Sequence, residues 1–268
     1  MPTVNDVFEF LDAIAPVGMK MASDNVGFLA GRAGADASRI LVSLDITSEV
    51  VSEALELSAG LIVSHHPLIF YPLKSVTDAD TTGKIIVRML SGGVSAICMH
   101  TNLDAARGGV NDALAIAAGI AGDGVDADLL TEGDALPTGE AYSYGRMGYL
   151  KNPVALPEYL GALKAALKTD GLRYYDAGRD VHKVAVVGGS GGDELHNAAA
   201  AGCDTFVTAD IKYHVFLEAG ELGINLIDGD HFCTENLVMG TVAEKLREAF
   251  PGAEVMASER HAQIVRFF

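Results

Sequence analysis

Five residues of this sequence have side chains that suit divalent metal ions: His65, His66, Asp104, His231 and Glu235. His65 and His66 end the short apolar run Leu61-Ile62-Val63-Ser64, and Pro67 prevents a strand from continuing with normal ladder hydrogen bonds. On extended backbone the two imidazoles point to opposite sides, so they could serve two ions, or one ion and one supporting contact. By themselves they read equally well as hydrogen-bonded histidines in a turn. His231 and Glu235 stand at i and i+4, which puts them on one face of a helix. Alone, that stretch reads as a polar helix start capped by Asp230. Asp104 follows the apolar run 94–99 as His65 follows 61–64, and alone it reads as a turn or cap residue.

Together the five are more informative. Three imidazoles and two carboxylates suit two borderline ions such as Zn²⁺, Mn²⁺ or Fe²⁺. A carboxylate can bridge two ions through its two oxygens and an imidazole cannot, so Asp104 and Glu235 are the natural bridges in a site about 3.5–4 Å across. Water at such a site is acidified and can attack an electrophile.

Further polar residues sit at similar places. Thr208-Ala209-Asp210-Ile211-Lys212-Tyr213-His214 leaves a strand, with Asp210 and His214 four apart. These two could be ligands, proton-transfer groups, or a cap with surface residues; support of the ligands or contact with substrate is the favoured role. His100 and Asn102 accompany Asp104, and His100 is assigned with Asp210 and His214 to support or proton transfer. The run Gly188-Gly189-Ser190-Gly191-Gly192 lies between a strand and a helix. It could offer backbone N–H groups to an anion or simply allow tight packing. It lacks the Gly-Lys-Ser/Thr of a phosphate-binding P-loop.

The elements that would carry these residues alternate between strand and helix. Val4–Ile14 has apolar residues at helical spacing. Arg39–Asp45, a helix over Ser48–Ala59 capped by Thr47, and Leu61–Ser64 make a βαβ unit with parallel strands. Val94–Met99, Tyr144–Leu150, Lys183–Val187, Thr205–Thr208 and Ile224–Asp228 read as strands. Asp193–Ala201 and about Phe232–Ala249 read as helices, and Ala262–Phe268 as a final strand. Ser23–Phe28 reads as a polar loop. Ligands bind beyond the carboxyl ends of strands in such sheets.

Composition narrows the function. The chain has 268 residues and a formal charge of −17, which disfavours general nucleic-acid binding. No apolar run reaches the roughly 18–20 residues needed to span a bilayer, and the N-terminus lacks a signal-peptide pattern, so a soluble cytoplasmic protein is expected. The three cysteines, Cys98, Cys203 and Cys233, form no C-x-x-C pair and read as reduced structural thiols.

Ordered along the chain, Ser64-His65-His66-Pro67-Leu68-Ile69-Phe70, His100-Thr101-Asn102-Leu103-Asp104, Gly108-Gly109-Val110-Asn111-Asp112, Thr208–His214 and Gly229-Asp230-His231-Phe232-Cys233-Thr234-Glu235-Asn236 resemble the NIF-three-like family, also called the GTP cyclohydrolase I type 2 family. The resemblance spans nearly the whole chain. It implies two interleaved α/β domains with mixed sheets, 1–128 plus 230–268 and an inserted 129–229, with a dinuclear metal site in the interdomain cleft. The family's ligands fall on His65, His66, Asp104, His231 and Glu235. It also implies a hexamer built as a trimer of dimers. Two departures stand out: Ser23 precedes Asp24-Asn25 where the family often has Trp, and Ala209 replaces the Gly of a Thr-Gly-Asp turn. The expected function is a metal-dependent hydrolase using metal-activated water on a nucleotide-like substrate; the resemblance implies a GTP cyclohydrolase-type reaction that opens the purine imidazole ring. The alternative is a non-catalytic metal-binding or metal-chaperone protein, or a ring-shaped interaction scaffold.

Overall fold

A computed structural model describes residues 1–122, 126–131 and 133–268. The chain forms two compact units, Met1–Leu103 with Val238–Ala262, and Asp104–Leu237 with Gln263–Phe268.

The first unit is built on a five-stranded sheet in the order Gly27–Ala30, Ser95–Cys98, Leu61–Ser64, Arg39–Ser43, Glu254–Ala257. Gly27–Ala30 runs antiparallel to its neighbour and the other pairings are parallel. The predicted βαβ unit is present: Thr47 caps the helix Ser48–Glu56 by accepting from the Val50 amide at 3.2 Å. Leu41, Ile62 and Ala96 lie in register on three adjacent strands. They pack with Val50, Val51 and Ala54 of that helix and Ile85 and Met89 of the helix Thr81–Ser91. The helix Val4–Ile14 begins with a capping box between Thr3 and Asp6 and buries Val4, Val7 and Leu11.

The second unit has a six-stranded mixed sheet in the order Asp128–Leu129, Arg146–Val154, Val181–Val186, Thr205–Thr208, Asn225–Asp228, Arg173–Tyr175. The three strands Val181–Val186, Thr205–Thr208 and Asn225–Asp228 are parallel and the remaining pairs antiparallel. Strand alternation divides the apolar residues between two faces. Val184, Val186, Val207 and Ile227 meet Leu114, Leu156, Leu163 and Leu167. Ala185, Phe206 and Leu226 meet Leu195, Ala198, Val215 and Ala219 on the other face.

The compact units change at 103/104, 237/238 and 262/263; the expected domain bounds are 128/129 and 229/230. Packing sets the compact units: Leu114 and Ala115 of the helix Val110–Ala117, and Cys233, are buried with the second sheet. Three local expectations change. The first-sheet strand near the C-terminus is Glu254–Ala257, whereas Ala262–Phe268 forms no strand. Polar side chains anchor the start of that segment instead, with Gln263 Nε2 donating to Asp230 Oδ1. The helix expected over Phe232–Ala249 divides at Asn236 into His231–Glu235 and Leu237–Ala249. Gly27–Phe28 belongs to an edge strand rather than a loop. No described helix is long and apolar enough to cross a membrane.

Candidate metal centre

The parallel strands of the first unit end in register, with Ser43 paired to Ser64 and Ser64 to Cys98. Asp45, His66 and His100 therefore each emerge two residues past one common level. His65 and Met99 lie one residue past it. The exits are tied by backbone hydrogen bonds: the amides of His65 and His66 both donate to Leu44 O, at 3.1 and 2.8 Å, and the Met99 amide donates to Ser64 O at 2.9 Å. The rings follow. His65 and His66 centroids are 5.0 Å apart, His65 and His100 5.2 Å, His66 and His100 5.6 Å. One ring nitrogen from each lies within 4.8 Å of the others, close enough to hold a metal ion.

Each of these rings is fixed through Nδ1. His65, fully buried, has Nδ1 2.8 Å from Met99 O. A carbonyl only accepts, so Nδ1 carries the proton and Nε2 is the basic atom. His66 Nδ1 is 2.7 Å from Asp45 Oδ1, and His261 Nε2 is 2.8 Å from Asp45 Oδ2. His100 Nδ1 is 2.9 Å from Asp24 Oδ1. Asp24 also accepts from the Thr101 amide at 3.1 Å and the Thr101 hydroxyl at 2.5 Å. Burial opposes ionisation of Asp24, but the His100 and Thr101 hydrogen bonds outweigh it and hold the carboxyl well below the usual carboxylate range. Asp45 is likewise held low, with burial overcome by the bonds to His261 and His66.

The second unit positions Asp210, His231 and Glu235. Asp230 caps the helix His231–Glu235, its Oδ1 accepting from the Cys233 amide at 3.1 Å. His231 Nδ1 is 2.8 Å from Asp210 Oδ2, while its Nε2 is 3.0 Å from Glu235 Oε2. That separation is compatible with two donors on one ion, each at about 2.0–2.2 Å. Asp210 and Asp230 are both non-glycine residues with left-handed backbone, at φ 53° and 73°. Asp104 lies in the short helix Thr101–Ala105, where its carbonyl accepts from Asn111 Nδ2 at 3.0 Å. Arg146, fully buried, donates to the carbonyls of Ala105 and Ala106 at the end of that helix and pairs with Asp112. His214 is exposed on the helix Tyr213–Leu222.

The glycine run does not form an open anion cradle. The amides of Gly188, Gly189 and Gly191 donate to Asn111 Oδ1 at 2.9 Å, Thr234 Oγ1 at 3.1 Å and Thr208 Oγ1 at 2.9 Å.

Within the first unit the structure therefore gathers His65, His66 and His100, and within the second Asp210, His231 and Glu235. Asp45, Asp24 and His261 have supporting positions that the sequence alone did not assign. Asp45 had a usable signal, since it leaves its strand as His66 and Asp104 leave theirs. His261 had none, sitting between an arginine and an alanine near the C-terminus. The donor chemistry fits a borderline divalent ion: neutral imidazoles with a second nitrogen held by a carbonyl or carboxylate are the usual form of metal-binding histidine. The three cysteines are buried. Burial pushes the Cys203 and Cys233 thiols up to about 11, away from the thiolate form that metals take.

The chain was compared with known proteins. A chain from Clostridium perfringens named GTP cyclohydrolase 1 type 2 homolog is 33% identical over 246 residues, covering 91% of both chains. A Lactococcus lactis protein of the same name is 30% identical, covering 96% of both. Among solved structures, a Bacillus cereus protein related to NIF3 superposes with a TM-score of 0.91 at 24% identity, covering 100% of this chain and 99% of its own. A Staphylococcus aureus hypothetical protein gives a TM-score of 0.90 at 27% identity, covering 99% of both. The Duf34/NIF3 (NGG1p interacting factor 3) family model matches residues 2–263, and the chain belongs to that family.

Proposed function

We propose that this protein binds two divalent metal ions and acts as a metal-dependent hydrolase on a nucleotide-like substrate. The residues that would hold the ions in this reading are His65, His66, Asp104, His231 and Glu235. The observation that supports it most is the treatment of the imidazoles. His65, His66, His100 and His231 each engage a carbonyl or carboxylate through Nδ1, at 2.7 to 2.9 Å. That arrangement fixes ring orientation and turns Nε2 to the task, as metal donor in His65, His66 and His231 and as proton acceptor in His100.

When bound, the ions would supply Lewis acidity and lower the pKa of water. The chain's own groups have separate tasks. Asp45 and Asp210 orient His66 and His231. His100, held by Asp24, is assigned the proton of the attacking water, and the Asp24 carboxylate would stabilise the resulting imidazolium. His214, being exposed, is assigned to substrate contact or proton exchange with solvent. The relatives' name, GTP cyclohydrolase 1 type 2 homolog, supports GTP or a similar nucleotide as the substrate class in this reading.

The test is to load metal-free protein with Mn²⁺, Zn²⁺ or Fe²⁺ and assay GTP, other nucleotides and phosphoesters beside His65→Ala. Metal at about two ions per chain and turnover lost in His65→Ala are expected. Turnover untouched by that substitution would sink the site. Full metal occupancy without turnover on any substrate would replace the hydrolase with a metal-binding or metal-chaperone role. A cytoplasmic hexamer, a trimer of dimers, belongs to the same reading and is checked by light scattering of the eluted protein.

A further inference from the structure

The glycine run beside the second-unit residues is the motif that the proposed chemistry leaves unused. Gly189 has a left-handed backbone, at φ +63°. A Cβ built there would lie 2.1 Å from Glu235 Oε1, 3.0 Å from Glu235 Cδ and 3.3 Å from His231 Cε1. The place a side chain would fill is thus taken by the Glu235 carboxylate. Gly189 is also tied to each neighbouring segment. Its amide donates to Thr234 Oγ1 at 3.1 Å. Its carbonyl accepts from the Ala209 amide at 2.8 Å and from Thr208 Oγ1 at 3.1 Å. The next residue after Ala209 is Asp210, which holds His231 Nδ1. The adjoining Gly188 amide donates to Asn111 Oδ1, and Asn111 Nδ2 donates to the Asp104 carbonyl.

We propose that Gly189 is a positioning residue for Glu235: its missing side chain holds open the volume in which the carboxylate is aligned with His231 as a metal ligand. The role of Glu235 as a ligand rests on the function proposed above. A methyl group at position 189 first meets the far end of a flexible side chain, so the carboxylate yields before the backbone does. Gly189→Ala therefore displaces the ligand atom and leaves the surrounding sheet in place.

Two other glycines separate this effect from ordinary strain. Gly178 has φ +72° with no atom within 4 Å of an added Cβ, so Gly178→Ala reports left-handed strain alone. Gly192, in the same run, would meet only Val215 at 3.8 and 3.9 Å, so Gly192→Ala reports substitution in the run alone. Binding of Mn²⁺ or Co²⁺ is measured by chelator competition, with the Co²⁺ absorption spectrum as a second signal. Gly189→Ala is expected to lose about 10- to 100-fold in affinity, the range for disturbed support of a ligand, and to change the Co²⁺ spectrum. Gly178→Ala and Gly192→Ala are expected to keep wild-type values. Equal losses in Gly178→Ala and Gly189→Ala would overturn the proposal.

Crystal structures of wild type and Gly189→Ala without metal provide a readout that does not depend on the metal reading. A displaced Glu235 carboxylate supports the positioning role; one in its wild-type place refutes it, whatever the metal data show. Absence of metal from wild type would refute the proposed function and leave this comparison decisive. If Gly189→Ala does not fold, Gly189→Ala/Glu235→Ala removes the obstructing carboxylate. Recovery of folding in the double variant supports the proposal, and failure of both overturns it.

Discussion

The carboxylate of Asp45 stands 2.7 Å from Nδ1 of His66, although the two residues leave different strands of the sheet. Registration of Ser43 with Ser64 brings them to the same level. The second Asp45 oxygen is held by His261 Nε2 at 2.8 Å, so the carboxylate is fixed from both sides.

Removal of that support should be visible in metal affinity. Asp45→Ala is expected to weaken divalent-ion binding about 10- to 100-fold. His261→Phe, one contact further away, should act in the same direction and less strongly. Chelator competition measures both, and an unchanged affinity in Asp45→Ala would remove Asp45 from the proposed site.

Asp24 gives an acid-side prediction. Its folded pKa is depressed, so its contribution to stability is complete above its unfolded value of about 3.9 and is lost as pH falls through the folded value. Urea midpoints of wild type should fall below about pH 4, the region where this carboxylate begins to bind protons in the unfolded chain. Asp24→Asn should be less stable at neutral pH and should show a shallower loss on acidification. Parallel pH curves for the two proteins would contradict this.

Arg146 is buried and pairs with Asp112 while donating to four carbonyls, those of Ser143, Gly145, Ala105 and Ala106. Truncation leaves the Asp112 charge and several acceptors without their partner. Arg146→Ala is expected to cost about 3–5 kcal/mol in chemical denaturation, the usual range for breaking one side of a buried pair. A loss below about 1 kcal/mol, the scale of a surface pair, would show that the cluster rearranges around the gap.

Cys203 gives an alkaline-side prediction away from the histidines. Burial raises its pKa to about 11, so the folded protein favours the neutral thiol. Its contribution is present below the unfolded value of about 8.5 and is lost as pH rises toward 11. Wild type should lose stability over that interval, and Cys203→Ala should lose less. Alkylation of Cys203 at pH 8 should be slow in native protein and fast in urea; rapid native labelling would contradict its burial.

Much of the fold could be read from local pattern. Thr47 announced its helix, and the apolar runs 39–44 and 61–64 announced parallel strands, because capping and buried-strand composition are local properties. The same pattern placed His65, His66, Asp104 and His231 just beyond strands. It did not reveal the His66–Asp45–His261 contacts, which depend on strand register and on the path of the C-terminal segment. That path is set by Glu53, whose side chain receives the amides of Glu259 and Arg260 and the hydroxyl of Ser258. Nothing in the order of residues 258–261 specifies a partner some 200 positions earlier. The edge strand Gly27–Ala30 escaped for another reason: it has four residues, antiparallel pairing and a register shift between Phe28 and Ala30.

The left-handed backbone at Asp210 and Asp230 has a consequence for how this protein can evolve. Such conformations cost of order 1–3 kcal/mol in non-glycine residues and persist where their surroundings enforce them. Here both side chains are occupied, Asp210 with His231 and Asp230 with the start of the following helix. Glycine at either position would relax the main chain and delete the carboxylate in one step. Selection for heat resistance and selection for an ordered His231 would therefore favour opposite residues at these two bends.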